Sequence, residues 1–499
     1  MKVFTRFFYS VLILFLVSIR VQGATWIVSP TGSDSNAGTF ESPWSLPKAI
    51  SSVNPGDIVY LRGGFYDGYF TLTRGGTSEN TRITFQNYAG ETPVIDGSSK
   101  KTDPANAWDK SKYLFIVYAD YITFKGLEVM NSAGFGIYVG ANYCVVDSCH
   151  LHNNYFAGVY FFMCSYGNVS NCTIHDNYDY GAGGVGGGDN SDGIGGSAGN
   201  VLPYPDYGHH HIINNLVYNT SDDGIDLWSS RGNTVENNLV YHTGFGNPSN
   251  GGSQPSTWDQ PAATGNGGGI KSGGEGAGSG QSVIKNNVVY DCPRRGGFDG
   301  SGGENNVYYN NTVYNCLNGF IYIGTTAVLK NNLVIGCSQA TNDVRGTASF
   351  NSWNLGITDA KFVSTDPTNT DFLRLSADSP AKDVGVKIAS VTADRIGMTR
   401  PQGKAYDLGA YECYTLTGLI ETEQVLLKVF PNPSSGLVNV NIGNSKESVI
   451  SVYNILGNLL LRMKTMKISE TIDLTGYNGI LFVKVINNDK EYTRKVIVK

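Results

Sequence analysis

The feature that most constrains this chain is a short phrase, Asn-Asn-x-Val-Tyr, that returns along its middle part. Copies occupy residues 214–218, 237–241, 286–290 and 310–314, and a looser copy occupies 331–335. Adding the earlier cognate positions Val129, Leu151 and Ile174, the intervals are 22, 23, 43, 23, 49, 24 and 21 residues. A base period of 21–24 residues, with short strands and no helical stripe, predicts a β-solenoid.

Leucine-rich repeats share this period, but their recurrent leucine frame is absent. Each coil of the predicted solenoid supplies three short strands, and identical positions stack about 4.8 Å apart. The repeated asparagines then have a structural role, because stacked side chains can hydrogen-bond along a turn. The expected fold is all-β: a right-handed parallel β-helix followed by a small β-sandwich.

The domain organisation follows from breaks in this period. Residues 1–23 read as a secretion signal, with basic Lys2 and Arg6, an apolar centre and a small-residue cleavage site. An uncleaved anchor is the alternative, and no later segment resembles a membrane span. The remaining divisions are an N-terminal cap (24–99), the β-helix core (100–340), its C-terminal end (341–414), a linker (415–428) and a separate β domain (429–499).

The composition limits the classes of partner that this chain can bind. The formal net charge is −6 and charged residues make up 16% of the chain, so there is no basic footprint for nucleic acid. An acidic polymer would therefore need locally placed cations or a bound metal. The chain is expected to act as a monomer.

The cysteines follow the repeat. Two of them share one repeat position, Cys149 and Cys172, and three share another, Cys292, Cys316 and Cys337. Stacked neighbours can form disulfides in a secreted protein. Since three in a row cannot all pair with each other, buried thiols are the favoured interpretation.

The stretch 221–228, S-D-D-G-I-D-L-W, is the focus of the functional prediction. Aligning Ile225 with Ile270 of the later phrase G-I-K places Lys271 in the position that Asp226 holds one coil earlier. Because strand side chains alternate, both would lie on one exposed face. The phrase N-S-D-G-I adds Asp192 in the same position as Asp223.

Four carboxylates, those of Asp192, Asp222, Asp223 and Asp226, are thus expected at one edge of a strand ladder. Such a group repels itself unless something neutralises it, and Ca²⁺ tolerates irregular carboxylate sites well. The alternative interpretation is structural. Asp226, Lys271 and Asp299 would then form an exposed ion-pair ladder worth less than about 1 kcal/mol per pair, and S-D-D-G would be turn chemistry.

Insertions at 178–190, 197–209 and 244–266 flank this patch, and solenoids place insertions on the binding face. The prediction is a substrate groove lined by Asp226, Lys271 and Trp228, with Arg294 and Arg295 on the next turn. Guanidinium groups can bind uronate carboxylates as bidentate donors.

The phrases N-S-D-G, S-D-D-G-I-D-L-W and G-N-G-G-G-I-K-S-G-G, on such a solenoid, resemble polysaccharide lyase family 9 over residues 24–413. The resemblance implies four aspartate ligands for Ca²⁺, namely Asp192, Asp222, Asp223 and Asp226, and Lys271 as the base. It also implies β-elimination on pectic polymers of the plant cell wall, either galacturonan or the rhamnogalacturonan backbone. Galacturonan is the first choice and rhamnogalacturonan the second, because the adjacent Arg294 and Arg295 suit successive carboxylates. Free lysine titrates near 10.4, so an alkaline optimum is expected.

Two other classes remain open. Polygalacturonase-type hydrolases share the solenoid and use N-T-D and D-D phrases, but they also carry G-H-G, which this chain lacks, and R-I-K where this chain has G-I-K. A non-catalytic glycan-binding solenoid would leave the lysine dispensable.

The C-terminal region carries a second resemblance. Phe430-Pro431-Asn432-Pro433, the phrase S-V-Y-N-I-L-G and a basic tail resemble the C-terminal sorting domain of the type IX secretion system. This implies that the type IX machinery is a partner and that the protein is secreted or held at the cell surface. A generic immunoglobulin-like accessory domain is the alternative.

Overall fold

Three parallel sheets wrap around one long hydrophobic core, which is the predicted solenoid. The structure, a computed structural model, describes residues 23–100, 112–178, 191–199, 202–203, 205–245, 265–274, 279–413, 427–434, 436–442, 447–455, 457–487 and 490–498. The predicted signal segment and most of the predicted linker lie outside these residues.

The chain visits the three sheets in a fixed order in every coil, so each strand pairs in parallel with its counterparts one coil before and after. Sheet 1, the first visited, has twelve strands within the described residues: Thr25–Val28, Ile58–Leu61, Ile83–Asn87, Ile122–Lys125, Val145–Asp147, Asn168–Ser170, His211–Ile213, Thr234–Glu236, Val283–Lys285, Val307–Tyr309, Val328–Lys330 and Thr347–Ser349.

Sheets 2 and 3 each have ten strands in the same described ranges. Those of sheet 2 are Gly64–Asp67, Pro93–Asp96, Glu128–Met130, His150–His152, Thr173–Asn177, Leu216–Thr220, Leu239–Thr243, Val288–Tyr290, Thr312–Tyr314 and Leu333–Ile335. Those of sheet 3 are Phe70–Leu72, Tyr113–Val117, Phe135–Val139, Val159–Phe162, Ile194–Ser197, Ile225–Asp226, Ile270–Lys271, Phe298–Asp299, Asn318–Ile323 and Gln339–Val344.

The core is built from the fourth residue of the repeated phrase, which is valine in every copy, and from its earlier cognates. Val129, Leu151, Ile174 and Val217 pair in register along sheet 2 and are all fully buried. Their neighbours on either side point outward, because side chains alternate along a strand. This alternation fixes which residues of every coil face the solvent.

An asparagine ladder runs along the turn that precedes sheet 2. Its members are the second asparagines of the repeated pairs together with a later one, and they are Asn215, Asn238, Asn287, Asn311, Asn332 and Asn351. From Asn238 onward, each side-chain oxygen accepts hydrogen bonds from the backbone N–H and the amide of the preceding member, at 2.8–3.0 Å. The predicted stacking of Asn215, Asn238 and Asn287 is confirmed.

The stack begins earlier than residue 100, because strands from Thr25 onward already belong to the same sheets. An α-helix, Leu46–Ser52, lies near this end; the Ser45 side chain accepts from the Lys48 N–H, and Leu46 and Ala49 are buried. Two short 3₁₀ turns occupy Glu79–Thr81 and Ser98–Lys100.

Residues after the last sheet strand fold back against sheet 2. Phe372 and Tyr411 pack with Val288 and Tyr290 in one apolar cluster. The Arg400 guanidinium, which is fully buried, pairs with Glu412 at 2.6 Å and also donates to Asn286 of the solenoid. This segment is therefore part of the first compact unit, Met1–Cys413.

The second compact unit, Tyr414–Lys499, is a small antiparallel β-sandwich with its own core, as predicted. One sheet contains Lys428–Phe430, Leu437–Asn441 and Ser469–Asp473, and the other contains Leu459–Thr465, Ser448–Asn454, Gly479–Asn487 and Lys490–Val498. The exact domain boundaries given above stay predictions.

All eight cysteines are free thiols, and seven of them are buried. No helix in the described ranges is long and apolar enough to span a membrane.

Candidate active site

Along one column of outward positions on sheet 3, the residue type changes from aromatic to small, acidic and basic. Tyr138 pairs with Tyr160, Tyr160 with Gly195, and Gly195 with Asp226. Asp226 then pairs with Lys271, as the alignment of the two phrases predicts, and Lys271 pairs with Asp299. Aromatic, small, acidic and basic side chains are thus placed in line by strand pairing alone.

Acidic side chains converge around the middle of this column. Asp192, Asp223 and Asp226 each place a carboxylate oxygen within 4.8 Å of the others. The Lys271 Nζ lies 2.9 Å from Asp226 Oδ2 and 3.6 Å from Asp223 Oδ2. We refer to Asp192, Asp222, Asp223 and Asp226 as the acidic cluster.

Part of the acidic cluster is held by backbone donors from the next coil. Asp222 Oδ1 accepts from the N–H groups of Asn266 and Gly267, at 2.5 and 3.3 Å. Asp223 Oδ1 accepts from the Gly268 N–H at 2.5 Å. These bonds fix the carboxylates in place while leaving their other oxygens aimed into the site.

Within the acidic cluster, three buried carboxylate oxygens have no hydrogen-bond partner among the described residues: Asp192 Oδ1, Asp223 Oδ2 and Asp226 Oδ1. Buried polar atoms are nearly always satisfied, because desolvation without a partner is costly. The same three residues can each offer a carboxylate oxygen within 4.8 Å of the others, so the cluster has the donors that a cation could use.

The same burial perturbs the titration of the cluster. Desolvation, reinforced by the neighbouring carboxylates, raises the pKa of Asp192 and of Asp223 well above the usual range. Burial and Asp226 raise the pKa of Asp222 to about 6. Burial alone would lower the pKa of Lys271, but the surrounding carboxylates outweigh it and the net pKa is raised.

The cluster fits a hard cation such as Ca²⁺. Its donors are all oxygens, the type that Ca²⁺ prefers, and the unsatisfied atoms face one another. Space is kept open by Gly195, where a Cβ would lie 3.2 Å from Asp192 Oδ2 and 2.4 Å from the Tyr160 ring. Any larger residue at this position of the column would crowd the carboxylates.

Asp226, Lys271 and Asp299 do not form the exposed ion-pair ladder of the alternative interpretation. Lys271 is buried and pairs with Asp226 and Asp223. Asp299 is fully buried and pairs instead with Arg295, and it also accepts from the backbone and hydroxyl of Ser301.

The other three residues that were predicted to contact the substrate lie in two different places. Trp228 lines the groove beside the acidic cluster. Arg295 is turned toward Asp299, Asn266 and the Tyr322 ring. The Arg294 side chain lies close to Gly244, whose added Cβ would come within 2.9 Å of its Cδ. Neither arginine is among the residues that line the groove.

An aromatic wall completes this groove, which encloses about 380 Å³, on the coils that precede the acidic cluster. Its members are Tyr113, Phe135, Tyr138, Phe156, Tyr160 and Phe162. Phe135 stacks on Phe156 with ring centroids 5.0 Å apart and contacts Tyr160 at 4.9 Å. These residues were not predicted from the sequence, although aromatic residues recur in three successive sheet 3 strands.

The long insertions were predicted to flank the groove. Most of them, residues 179–190, 200–201, 204 and 246–264, lie outside the described residues.

Comparison with known proteins gives two family matches. Residues 26–332 match the model described as "Pel9A-like, right handed beta helix region", and residues 428–499 match "Secretion system C-terminal sorting domain". The predicted right-handed solenoid and the predicted sorting domain are thereby confirmed.

Individual similar proteins include several that are named pectate lyases. Pectate lyase L of Dickeya dadantii is 28% identical over 419 residues, covering 78% of this chain and 90% of the relative. Pectate lyase PEL9 of Emericella nidulans is 27% identical over 316 residues, covering 55% and 69%. The crystal structure of pectate lyase Pel9A superposes with a TM-score of 0.62 at 26% identity, covering 78% of this chain and 96% of that one. A solved rhamnogalacturonan lyase, at 20% identity and a TM-score of 0.58, covers 71% and 97% and shares the fold.

Proposed function

This chain belongs to the Pel9A-like right-handed β-helix family, and on that premise we propose that it is a secreted polysaccharide lyase acting on pectic uronate polymers. The observation that carries the proposal is the set of unsatisfied carboxylate oxygens converging beside the Lys271 amine. Galacturonan is the first candidate substrate, because several relatives are named pectate lyases.

Asp192, Asp222, Asp223 and Asp226 would hold Ca²⁺. When bound, the cation neutralises the uronate carboxylate and so makes the neighbouring C5 proton easier to remove. The four aspartates differ in their hydrogen-bond partners. Asp222 and Asp223 each use one oxygen on backbone N–H groups. Asp192, Asp223 and Asp226 each keep one buried oxygen that has no hydrogen-bond partner among the described residues and is free for the ion.

Lys271 is the proposed base. Its amine takes the proton from C5 of the uronate, the electron pair of the broken C–H bond becomes the C4–C5 double bond, and the bond from C4 to the glycosidic oxygen breaks. The departing oxygen then takes a proton from solvent. Positioned proton transfer of this kind commonly contributes about 10²–10⁴-fold to a rate.

The base must first be unprotonated, and the surrounding carboxylates raise the pKa of Lys271. Activity is therefore expected to rise as the pH becomes alkaline. The backbone supports the base by fixing its column position, since Ile270–Lys271 pairs with strands on both sides.

The aromatic wall favours a second candidate substrate, the rhamnogalacturonan backbone. Aromatic faces pack well against the apolar face of a neutral sugar, and aromatic contacts are worth about 0.5–1.5 kcal/mol each beyond buried area. In the described residues, Lys271 is the one basic side chain lining the groove. A polymer that alternates uronate with a deoxy sugar would place fewer carboxylates against this wall.

The deciding experiment assays the purified full chain on both polymers, with Ca²⁺ and after chelation. A lyase leaves a C4–C5 double bond conjugated to the carboxylate, which absorbs in the ultraviolet. We expect ultraviolet-absorbing products with Ca²⁺ and their loss on chelation. New reducing ends without absorbance would support a hydrolase, and an intact polymer would support a binding protein.

The secretion route is part of the same proposal. The match of residues 428–499 to a sorting domain supports export through the type IX machinery. Deleting this domain should leave the enzyme inside the producing cell while preserving the activity of the solenoid unit. Export of the truncated chain at the normal level would contradict the proposed route.

A further inference from the structure

A group of imidazoles lies on a different face of the solenoid from the acidic cluster. It occupies the outward side of three adjacent sheet 2 strands, Glu128–Met130, His150–His152 and Thr173–Asn177. Strand pairing places His150 beside Glu128 and His152 beside His175. We call Glu128, His150, His152 and His175 the histidine cluster.

The donor atoms of the histidine cluster face one another. The Nε2 atoms of His150 and His175 are 2.7 Å apart, and His152 Nε2 lies 3.0 Å from Glu128 Oε1. Glu128, His150 and His152 each offer a ligand atom within 4.8 Å of the other two. All four side chains are half-buried, so their donors are partly withdrawn from water without being closed off.

The Nδ1 atoms of His175 and His152 are already engaged, which fixes how the Nε2 atoms of these two rings point. His175 Nδ1 lies 2.9 Å from Asp176 Oδ2, and the second oxygen of Asp176 is held by the Asn219 amide at 2.7 Å. A carboxylate accepts hydrogen bonds, so Nδ1 carries the proton and the Nε2 lone pair points into the cluster. Metal-binding histidines are oriented in this way.

The same orientation applies to His152, whose Nδ1 contacts Asn153 Oδ1. With the proton on Nδ1, the His152 Nε2 lone pair faces the Glu128 carboxylate oxygen. A lone pair and a carboxylate oxygen at this distance need a positive species between them, which is either a proton, giving an imidazolium paired with Glu128, or a metal ion. Because the donors are imidazole nitrogens and one carboxylate, the set suits zinc-class ions and not Ca²⁺.

We propose that Glu128, His150, His152 and His175 form a second, structural metal site for a zinc-class transition ion, which ties three successive coils together. Zn–N bonds of about 2.0–2.1 Å in a tetrahedral site place ligand nitrogens roughly 3.3 Å apart. The His150 and His175 rings therefore separate by about half an ångström when the ion enters. The site is independent of the proposed lyase activity.

The test titrates Zn²⁺ into the full chain by calorimetry, with saturating Ca²⁺ present so that the acidic cluster does not take up zinc. The informative variant is His175→Tyr, because Tyr218 occupies the same position on the next coil and stacks on His175 at 4.7 Å. His211→Asn, at an exposed position on sheet 1, is the matched control.

One equivalent of Zn²⁺ should bind wild type and the His211→Asn control and raise their unfolding temperature. Binding should weaken at least about tenfold in His175→Tyr. Glu128→Gln gives the same comparison should His175→Tyr not fold. A Co²⁺-loaded sample should show a tetrahedral visible spectrum without a sulfur-to-metal band, which excludes the buried thiols. Absence of Zn²⁺ binding, or equal binding in the His175 and Glu128 variants, would show that the rings only stack.

Discussion

Two polar columns run along the same solenoid and reach opposite outcomes. In the asparagine ladder the same residue recurs on successive coils, and from Asn238 onward each amide oxygen accepts from the preceding member. The sheet 3 column passes through Gly195, Asp226 and Lys271, and buried carboxylate oxygens of the acidic cluster around it are left without hydrogen-bond partners among the described residues. Stacking at a fixed spacing satisfies identical amides, whereas the acidic cluster concentrates like charges.

This difference shows that one solenoid can place stabilising residues and reactive residues in separate columns. The ladder contributes to the unfolding free energy, because each buried amide finds a partner in the next coil. The acidic cluster beside the sheet 3 column contributes electrostatic repulsion instead, since its carboxylates are desolvated together and the pKa values of Asp192 and Asp223 rise. Substitutions in the two columns should therefore affect different measurements.

The largest expected effect comes from removing one charge of the acidic cluster. Asp223→Asn keeps an oxygen for the Gly268 N–H while removing a ligand charge. Calcium affinity measured by calorimetry should fall by about 100-fold or more, since even outer-sphere changes cost about 10–100-fold, and lyase activity should fall with it. Unfolding in denaturant should change little.

Asp147→Asn is the matched control for this prediction. Asp147 is an outward aspartate of sheet 1 that pairs with Lys125 at 3.2 Å. Calcium binding and activity should match those of the wild type. Equal calcium binding by the Asp223→Asn and wild-type proteins would refute the ligand assignment.

The next largest effect tests the ladder. Asn238→Ala removes the acceptor for the backbone N–H and the amide of Asn215 and the donor to Ile212 O, at 2.9, 3.0 and 2.8 Å. Leaving buried groups unsatisfied should lower the unfolding free energy by about 2 kcal/mol. The denaturant midpoint measures this, and the activity of the folded enzyme should be unchanged.

Asn237→Gly is the control here, because Asn237 has a φ of 60° that glycine adopts readily. It should shift the midpoint much less than Asn238→Ala. The proposed difference between the two columns would be contradicted if Asn238→Ala reduced the activity of the folded protein and left the denaturant midpoint unchanged.

A third prediction concerns His210, a titratable side chain whose position is filled by Asn233 on the next coil. His210 is fully buried, its Nδ1 accepts from the Gly167 N–H at 3.0 Å, and burial lowers its pKa to about 3. A folded-state pKa below the unfolded value of about 6.5 means that stability is lost as the pH falls through 6.5. The loss should be on the order of 1 kcal/mol between pH 7 and about pH 5.7.

His210→Asn should flatten this pH dependence, because Asn233 fills the same position on the next coil. Unfolding midpoints at the two pH values measure the effect. An equally steep loss in the variant would assign the pH dependence to another group.

The smallest effect concerns the aromatic wall. Tyr138→Ala removes one stacking surface, so KM should rise by about 2- to 10-fold with kcat nearly unchanged, as expected for a loss of about 0.5–1.5 kcal/mol. Tyr143→Ala is the control, because Tyr143 stacks between Tyr121 and Tyr166 on a different turn. A fall in kcat for Tyr138→Ala at constant KM would contradict a role confined to binding.

The sequence was sufficient for the coil register, and the physical reason is the fixed side-chain period of a strand. Once Ile225 aligned with Ile270, the neighbouring positions of Asp226 and Lys271 followed. The partner of Asp299 did not follow, because Arg295 lies in a turn whose path no period specifies. The aromatic wall was missed because its residues carry no repeated phrase.

The histidine cluster could be predicted from the sequence only in part. The 23-residue interval between Leu151 and Ile174 already places His152 beside His175, so its register was readable from the sequence. The ring orientations were not readable, since they depend on Asn153 and Asp176, which lie at turns and strand ends.

The account rests most directly on Lys271, and one measurement tests it: the rate of ultraviolet-absorbing product formation by Lys271→Ala with saturating Ca²⁺ and pectic polymer. Loss of the positioned base should reduce this rate by about 10²–10⁴-fold. Calcium and polymer should still bind, because the aspartates remain. Lys271→Arg should fail as well, since guanidinium stays protonated. A Lys271→Ala rate close to that of the wild type would show that the base lies elsewhere.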